Sequence, residues 1–189
     1  IETVADLAGK SVTYGFTSQL TINRIVTAIL AAGGLSPDDI EQNMVPNVIR
    51  GADDFVSGRA DGAFFAVGSG KVTEVDASVG GLHWLPLPGT PEARLQGVVP
   101  QAYIDVIQPR EGLTGVDSEM PVMAYDYMLV VGAHVPDETV TAIVTALREN
   151  KGALVESFAA FRDMDTDAML VDVGVPYHPG AEKALKPAN

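Results

Sequence analysis

The stretch SVTYGFTSQLTINRIVTAILAAGG, residues 11–34, decides the fold because it passes from a β-rich run directly into a helical pattern. The first five residues are typical of a strand. Apolar residues then recur at helical spacing and are followed by Gly33 and Gly34, which predicts an amphipathic helix that ends at these glycines. The apolar positions are Ile22, Ile25, Val26, Ile29 and Leu30.

The same alternation continues along the first half of the chain. A weaker helix is predicted at residues 46–58 and a short buried strand at 62–67, which completes a β-α-β-α-β unit. A further strand is predicted at 84–87, a turn at 88–89, and a helix from residue 91. The predicted fold class is therefore α/β.

The second half of the chain begins with an irregular stretch. Residues 100–121 contain proline and glycine and show little periodicity, which favours a crossover between two lobes. Residues 122–131 are strongly β-prone, a clean amphipathic helix begins near residues 136–138, and 153–161 continues in helical pattern. The helix presents an apolar stripe of Val140, Ile143, Val144 and Leu147.

Composition excludes several classes of protein. The chain has 189 residues and a formal net charge of −13, which opposes binding to nucleic acids and to anionic membrane surfaces. It contains no cysteine, and no apolar run approaches the length of a membrane span. We therefore expect a folded protein that does not cross a membrane.

Familiar catalytic motifs fail on spacing. Gly70-Lys71 resembles the end of a phosphate-binding loop, but Phe65 and Val72 occupy positions that require glycine and Ser or Thr. Ser69 lacks the glycine pattern of a nucleophile elbow, because Val67 holds its first position. The sequence predicts no enzyme and no cofactor.

Metal sites fail in the same way. Asp163, Asp165 and Asp167 imitate the start of a calcium loop, but the required later Gly and Glu are missing, so a solvated acidic helix start is favoured. The histidines His83, His134 and His178 form no ligand pair by local spacing and are interpreted as structural.

Two junctions between a strand and a helix are the candidate ligand site. A helix start offers unpaired N–H donors and partial positive charge, which suit a carboxylate or phosphate. At the first junction, hydroxyl groups either cap the helix or bind a ligand, and the sequence leaves both open. At the second, an aromatic side chain either packs in the core or lines a pocket. The candidates are Phe16, Thr17, Ser18 and Gln19, then Phe65, Gly68 and Ser69.

Several segments, taken in order, resemble the TRAP-associated extracytoplasmic immunogenic (TAXI) receptors. They are Asp6-Leu7-Ala8-Gly9-Lys10 before a strand, the loop into the helix at 21–33, Gly58-Arg59-Ala60-Asp61-Gly62-Ala63-Phe64, and Pro176-Tyr177-His178-Pro179-Gly180-Ala181. The resemblance runs through nearly the whole chain, and its order and the His-Pro-Gly-Ala ending are its most specific parts.

The resemblance implies a type II periplasmic-binding-protein fold with two lobes of mixed sheets flanked by helices. Residues 1–9 would then be the entry segment between lobes, 10–90 the second lobe, 91–121 the crossover and hinge, and 122–189 the returning part of an incomplete first lobe. Receptors of this kind usually carry a signal peptide and a further ligand loop before this region.

The resemblance also implies a function. The protein would capture a small anionic ligand, an amino acid such as glutamate or a dicarboxylate, in the periplasm for the membrane subunits of a TRAP transporter. The segment Met123-Ala124-Tyr125 would approach the ligand from the opposite lobe, where Tyr125 either donates a hydrogen bond or packs within the β-prone run. The first loop, with Phe16 and Gln19, departs from the small Gly-Ser-Gly-Thr type of the family, so ligand identity does not transfer. An effector domain of a transcription regulator and an unrecognised enzyme are the alternatives.

Overall fold

The computed structural model describes residues 1–87, 89, 92–157 and 159–186. They form two compact units, Ile1–Asp126 and Tyr127–Asn189. Helices and small sheets are both present, so the predicted α/β class is confirmed. No helix among the described residues combines the length and apolar character needed to span a membrane.

The first unit opens with an alternation of strands and helices. Its elements are β1 (Ser11–Gly15), α1 (Leu20–Ala32), β2 (Glu41–Val45), α2 (Val48–Val56) and α3 (Gly70–Val79). The predicted first strand, the amphipathic helix ending at Gly33 and the weaker second helix are all confirmed. β1 and β2 pair in parallel, with Val12 opposite Gln42. No residue range had been predicted for β2, which carries mainly exposed side chains and so lacks a clear apolar pattern.

The core of this unit lies where α1 packs against β1 and the short 3₁₀ helix Val4–Leu7. The helical stripe that the sequence predicts turns toward this core, because an amphipathic helix is stabilised mainly by burying its apolar face. Fully buried members of the core are Val12, Phe16, Val26, Leu30 and Leu95.

The strand predicted at residues 62–67 is not formed. The segment touches the sheet at one point, a parallel bridge between Val12 and Gly62, and the chain then leaves the sheet. A short apolar run is a weak signal for a strand, because side chains can also be half-buried on an irregular segment, as Phe64 and Phe65 are here.

The strand predicted at residues 84–87 is also absent. One ladder-like hydrogen bond exists, from the Leu87 N–H to the Pro121 carbonyl at 3.0 Å, but Pro86 has no N–H to extend it. The helix predicted next is confirmed as α4 (Glu92–Gln96). Within the predicted turn, Gly89 is in a turn, whereas Pro88, like Pro91 at the predicted helix start, lies outside the described residues.

A second sheet contains β3 (Tyr103–Ile107) and β4 (Met120–Ala124), paired antiparallel. β3 lies within the stretch that the sequence had indicated to be irregular. The β-prone run at 122–131 forms a strand only as far as Ala124, which is the last residue with a partner on β3. Beyond it, residues 127–130 form no strand and are exposed. A high β propensity is therefore not sufficient to form a strand ladder at these positions.

The second unit consists of α5 (Asp137–Glu149), α6 (Lys151–Ser157), a 3₁₀ turn at Ala159–Asp163 and α7 (Pro179–Leu185). α5 confirms the predicted amphipathic helix and buries Val140 and Val144. The helical pattern at 153–161 is confirmed in part, as the end of α6 and then a 3₁₀ turn, with Phe158 outside the described residues.

Candidate functional site

Three chain segments leave the first sheet at the same edge. β1 and β2 are parallel, and the bridge at Gly62 is parallel to β1 as well, so the chain runs in one direction at all three places. Each segment leads into a helix, α1, α2 or α3. The carboxyl edge of parallel strands is where α/β proteins commonly bind ligands. Parallel pairing therefore brings the first predicted junction and the start of α2 to this edge, while the second junction follows the Gly62 bridge along the chain.

The first junction is built on a buried aromatic ring. Phe16 is fully buried and has a positive φ of 39°, a conformation that costs energy for a residue other than glycine. Its carbonyl accepts the Gln19 N–H at 2.7 Å, which closes a tight turn before α1. The ring of Phe16 packs in the core, so at this edge Phe16 contributes its backbone, while Thr17 and Ser18 are exposed.

Gln19 is engaged with the neighbouring helix. Its side-chain oxygen accepts the N–H of Val48, the first residue of α2, at 3.0 Å. The Asn47 side chain accepts the Arg50 N–H at 2.9 Å, so side chains complete the start of α2. Sequence reasoning missed this role of Gln19, because a contact between residues 29 positions apart leaves no local pattern.

The start of α1 is different. Gln19 occupies the position before the helix and makes no capping hydrogen bond with its side chain. Within the described part of the chain, the amides of Leu20 and Thr21 have no acceptor. The hydroxyl groups of Thr17 and Ser18 do not donate to the backbone there either. The two amides are the donors that a helix start leaves over when no side chain caps it, and the two hydroxyl groups lie just before them in the chain.

The second junction has the same character. Ser69 precedes α3 and makes no capping hydrogen bond with its side chain. Its backbone carbonyl accepts the Val72 N–H at 3.0 Å, and Gly68 has a φ of +81°, which favours glycine. A Cβ placed on Gly68 would come within 3.1 Å of the Leu113 side chain, so the 112–114 loop lies beside this junction. No sequence pattern had indicated that loop.

The cations near these junctions are already paired. The Lys71 ammonium lies 2.8 Å from Glu74 and 3.1 Å from Asp53, and these hydrogen bonds raise its pKa. Arg50 lies 3.2 Å from Asp54. The electrostatic attraction that remains for an anion at this edge therefore comes mainly from the backbone N–H groups.

Asp54 is the most buried carboxylate of α2. Its side chain accepts from the Arg59 guanidinium, with Arg50 close by. The hydrogen bond from Arg59, aided by the charges of both arginines, outweighs burial and lowers the pKa of Asp54. This cluster holds the end of α2 to the chain that follows it.

Tyr125 is placed elsewhere. It follows β4 in the second sheet, which is not paired with β1 or β2, so strand pairing does not bring it to the edge described above. It is half-buried. A role for Tyr125 in binding a ligand stays a prediction.

Elsewhere, residues singled out in the sequence have local structural partners. Asp165 accepts the Asp167 N–H at 2.9 Å, and Asp167 lies 3.4 Å from Arg148. Among the described residues no cluster of His, Cys, Asp or Glu is arranged to hold a metal ion. The structural interpretation of His178 is confirmed, because its ring caps α7 and Pro179 takes the first helical position.

A comparison with protein families gives one finding. The model of the NMT1-like family matches residues 1–188, nearly the whole chain. The family is of the periplasmic-binding type and is related to solute-binding proteins. The mixed α/β architecture fits that fold.

Proposed function

The chain belongs to the NMT1-like family, and from this premise we propose that it is a periplasmic receptor for a small carboxylate. The observation that carries the proposal is the start of α1, which has no side-chain cap and follows β1 at the carboxyl edge of a parallel strand pair. The start of α3, which follows the Gly62 bridge along the chain, also lacks a side-chain cap. The start of α2, which lies between them in sequence, differs because side-chain oxygens of Asn47 and Gln19 accept its N–H groups.

The chemistry of the edge favours an anion of modest charge. The amides of Leu20 and Thr21 and the hydroxyl groups of Thr17 and Ser18 are donors that match carboxylate oxygens. Because Lys71 and Arg50 are ion-paired, the helix starts rather than a side-chain cation would neutralise the ligand. The backbone of Gly68 and the Ser69 hydroxyl would complete the site.

The resemblance to TAXI receptors supports a finer proposal. The receptor would deliver its ligand to the membrane subunits of a TRAP-type transporter, with amino acids such as glutamate and small dicarboxylates as the first ligands to test. Family membership supports binding and not catalysis as the working function. Saturable binding without turnover is therefore the expected behaviour.

Substitution of Ser18 by leucine tests the site. Ser18 is exposed, so the change should leave the melting temperature of the ligand-free protein nearly unchanged, while the added bulk blocks the start of α1. At a hundredfold excess over its Kd, a ligand stabilises by about 2.7 kcal/mol, which is a shift of about 5–10 °C for a chain of this size. Ser18→Leu should lose that shift.

The matched control is Ser78→Leu, at an exposed serine in the last turn of α3. Ligands are found first by native mass spectrometry of the purified protein and then tested by thermal melts. Ser78→Leu should keep the ligand shift, and a shift that survives in Ser18→Leu as it does in this control would remove the first junction from the site.

A further inference from the structure

The second unit holds α7 against α5 at both ends of α7. The Thr141 hydroxyl donates to the Gly180 carbonyl at 2.9 Å, and the Arg148 guanidinium donates to the Ala184 carbonyl at 2.8 Å. A Cβ on Gly180 would clash with the backbone of Asp137, so only glycine allows this approach. The start of α7 is therefore packed directly on the start of α5.

A histidine completes that start. His178 is the residue before α7, and its side chain is only 7% exposed. Its Nδ1 accepts the Gly180 N–H at 3.2 Å, which requires a lone pair on Nδ1 and hence the neutral imidazole. The same Nδ1 lies 3.7 Å from the Asp137 carboxylate, a partner that only a protonated Nδ1 can use.

We propose that His178 is a two-position pH switch at the α5–α7 contact. When a proton from solvent binds Nδ1, the lone pair is lost and the Gly180 N–H loses its acceptor. The new N–H turns to Asp137 as a donor. The imidazolium also stands at the positive end of the α7 dipole, which disfavours it there, so acid weakens the side-chain cap of α7.

The charged groups around the switch are mostly acidic. Asp137 and Glu138 form the first turn of α5, while Glu182 and Lys183 lie on α7. Arg148 lies at the far end of α7, where its bond to Ala184 does not depend on the His178 proton. Acid therefore weakens the cap that His178 forms, whereas the hydrogen bonds from Thr141 and Arg148 to carbonyl groups of α7 stay in place.

Nuclear magnetic resonance tests the switch directly. The amide signal of Gly180 should move together with the ring signals of His178 when the pH is lowered from about 7.5 to about 5.5. Amides of the first turn of α7 should lose protection from hydrogen exchange over the same range. The exposed His83, whose side chain is 60% accessible, provides an internal comparison, because the Gly180 signal should not follow the ring signals of His83.

Two substitutions separate the switch from a plain cap. His178→Asn keeps a capping side chain and removes the titration, so Gly180 should become insensitive to pH in this range. Asp137→Asn keeps the histidine and removes the carboxylate that attracts the imidazolium, so the transition should move to lower pH. A Gly180 signal that ignores the His178 titration, or one that still titrates in His178→Asn, would overturn the proposal.

Discussion

The starts of α1 and α3 differ from those of α2 and α7. Asn47 and Gln19 complete α2, and His178 completes α7. Neither α1 nor α3 has a side-chain cap. A missing cap costs a helix about 1 kcal/mol, so capped starts contribute to the fold while uncapped starts leave donors that a ligand can use, as we propose for the first unit.

The largest expected effect is a difference in the free energy of unfolding between substitutions of Phe16 and of its exposed neighbour Thr17. Phe16→Ala removes a fully buried ring from the turn that precedes α1 and should lower the free energy of unfolding by about 3–5 kcal/mol. Thr17→Ala changes an exposed side chain and should stay within about 0.5 kcal/mol. Urea unfolding measures both. A loss for Phe16→Ala similar to that of the control would mean that the ring does not hold the junction in place.

The next effect concerns the completed helix α2. Asp54→Asn removes the charge that pairs with Arg59 and Arg50 and should cost about 1.5–3 kcal/mol at neutral pH. Asp53→Asn is the matched control, since Asp53 is half exposed and pairs with Lys71 at the surface, where a pair is worth about 0–1 kcal/mol.

The same carboxylate gives a pH dependence. The pKa of Asp54 in the folded protein lies below its ordinary value of 3.8, so its stabilisation is present above that value. It is lost as the pH falls through the lower, folded-state pKa. Urea unfolding of the Asp54→Asn variant should therefore show a smaller loss of stability in acid than the unchanged protein. If both proteins lost the same free energy of unfolding in acid, Asp54 would not be the source of this pH dependence.

The smallest effect tests the comparison of helix starts itself. Asn47→Ala removes a cap from α2 and should cost about 1 kcal/mol, whereas Ser69→Ala at α3 removes no capping bond and should change stability by less than about 0.5 kcal/mol. Thermal or urea unfolding of the ligand-free protein decides between them. Equal losses would mean that Ser69 also caps its helix in solution.

Local patterns predicted the elements with strong periodicity. Three elements were predicted in this way, namely α1, α5 and β1. Each is marked by an apolar stripe or a β-rich run bounded by glycine or proline, and such a pattern involves only residues that are close in sequence. The strands expected at 62–67 and 84–87 did not form. Whether such a run becomes a strand depends on a partner with free N–H and C=O groups, and β3 was missed for the same reason.

The sequence by itself determined the α/β class, the acidic charge and the two polar junctions at Thr17–Ser18 and Ser69, because composition and spacing are local properties. Only the tertiary structure decided what the residues of the first junction contact. Gln19 serves α2 rather than α1, and the Phe16 ring belongs to the core. Those outcomes depend on atoms brought together from distant parts of the chain by parallel pairing of β1 and β2, which no spacing along the sequence records.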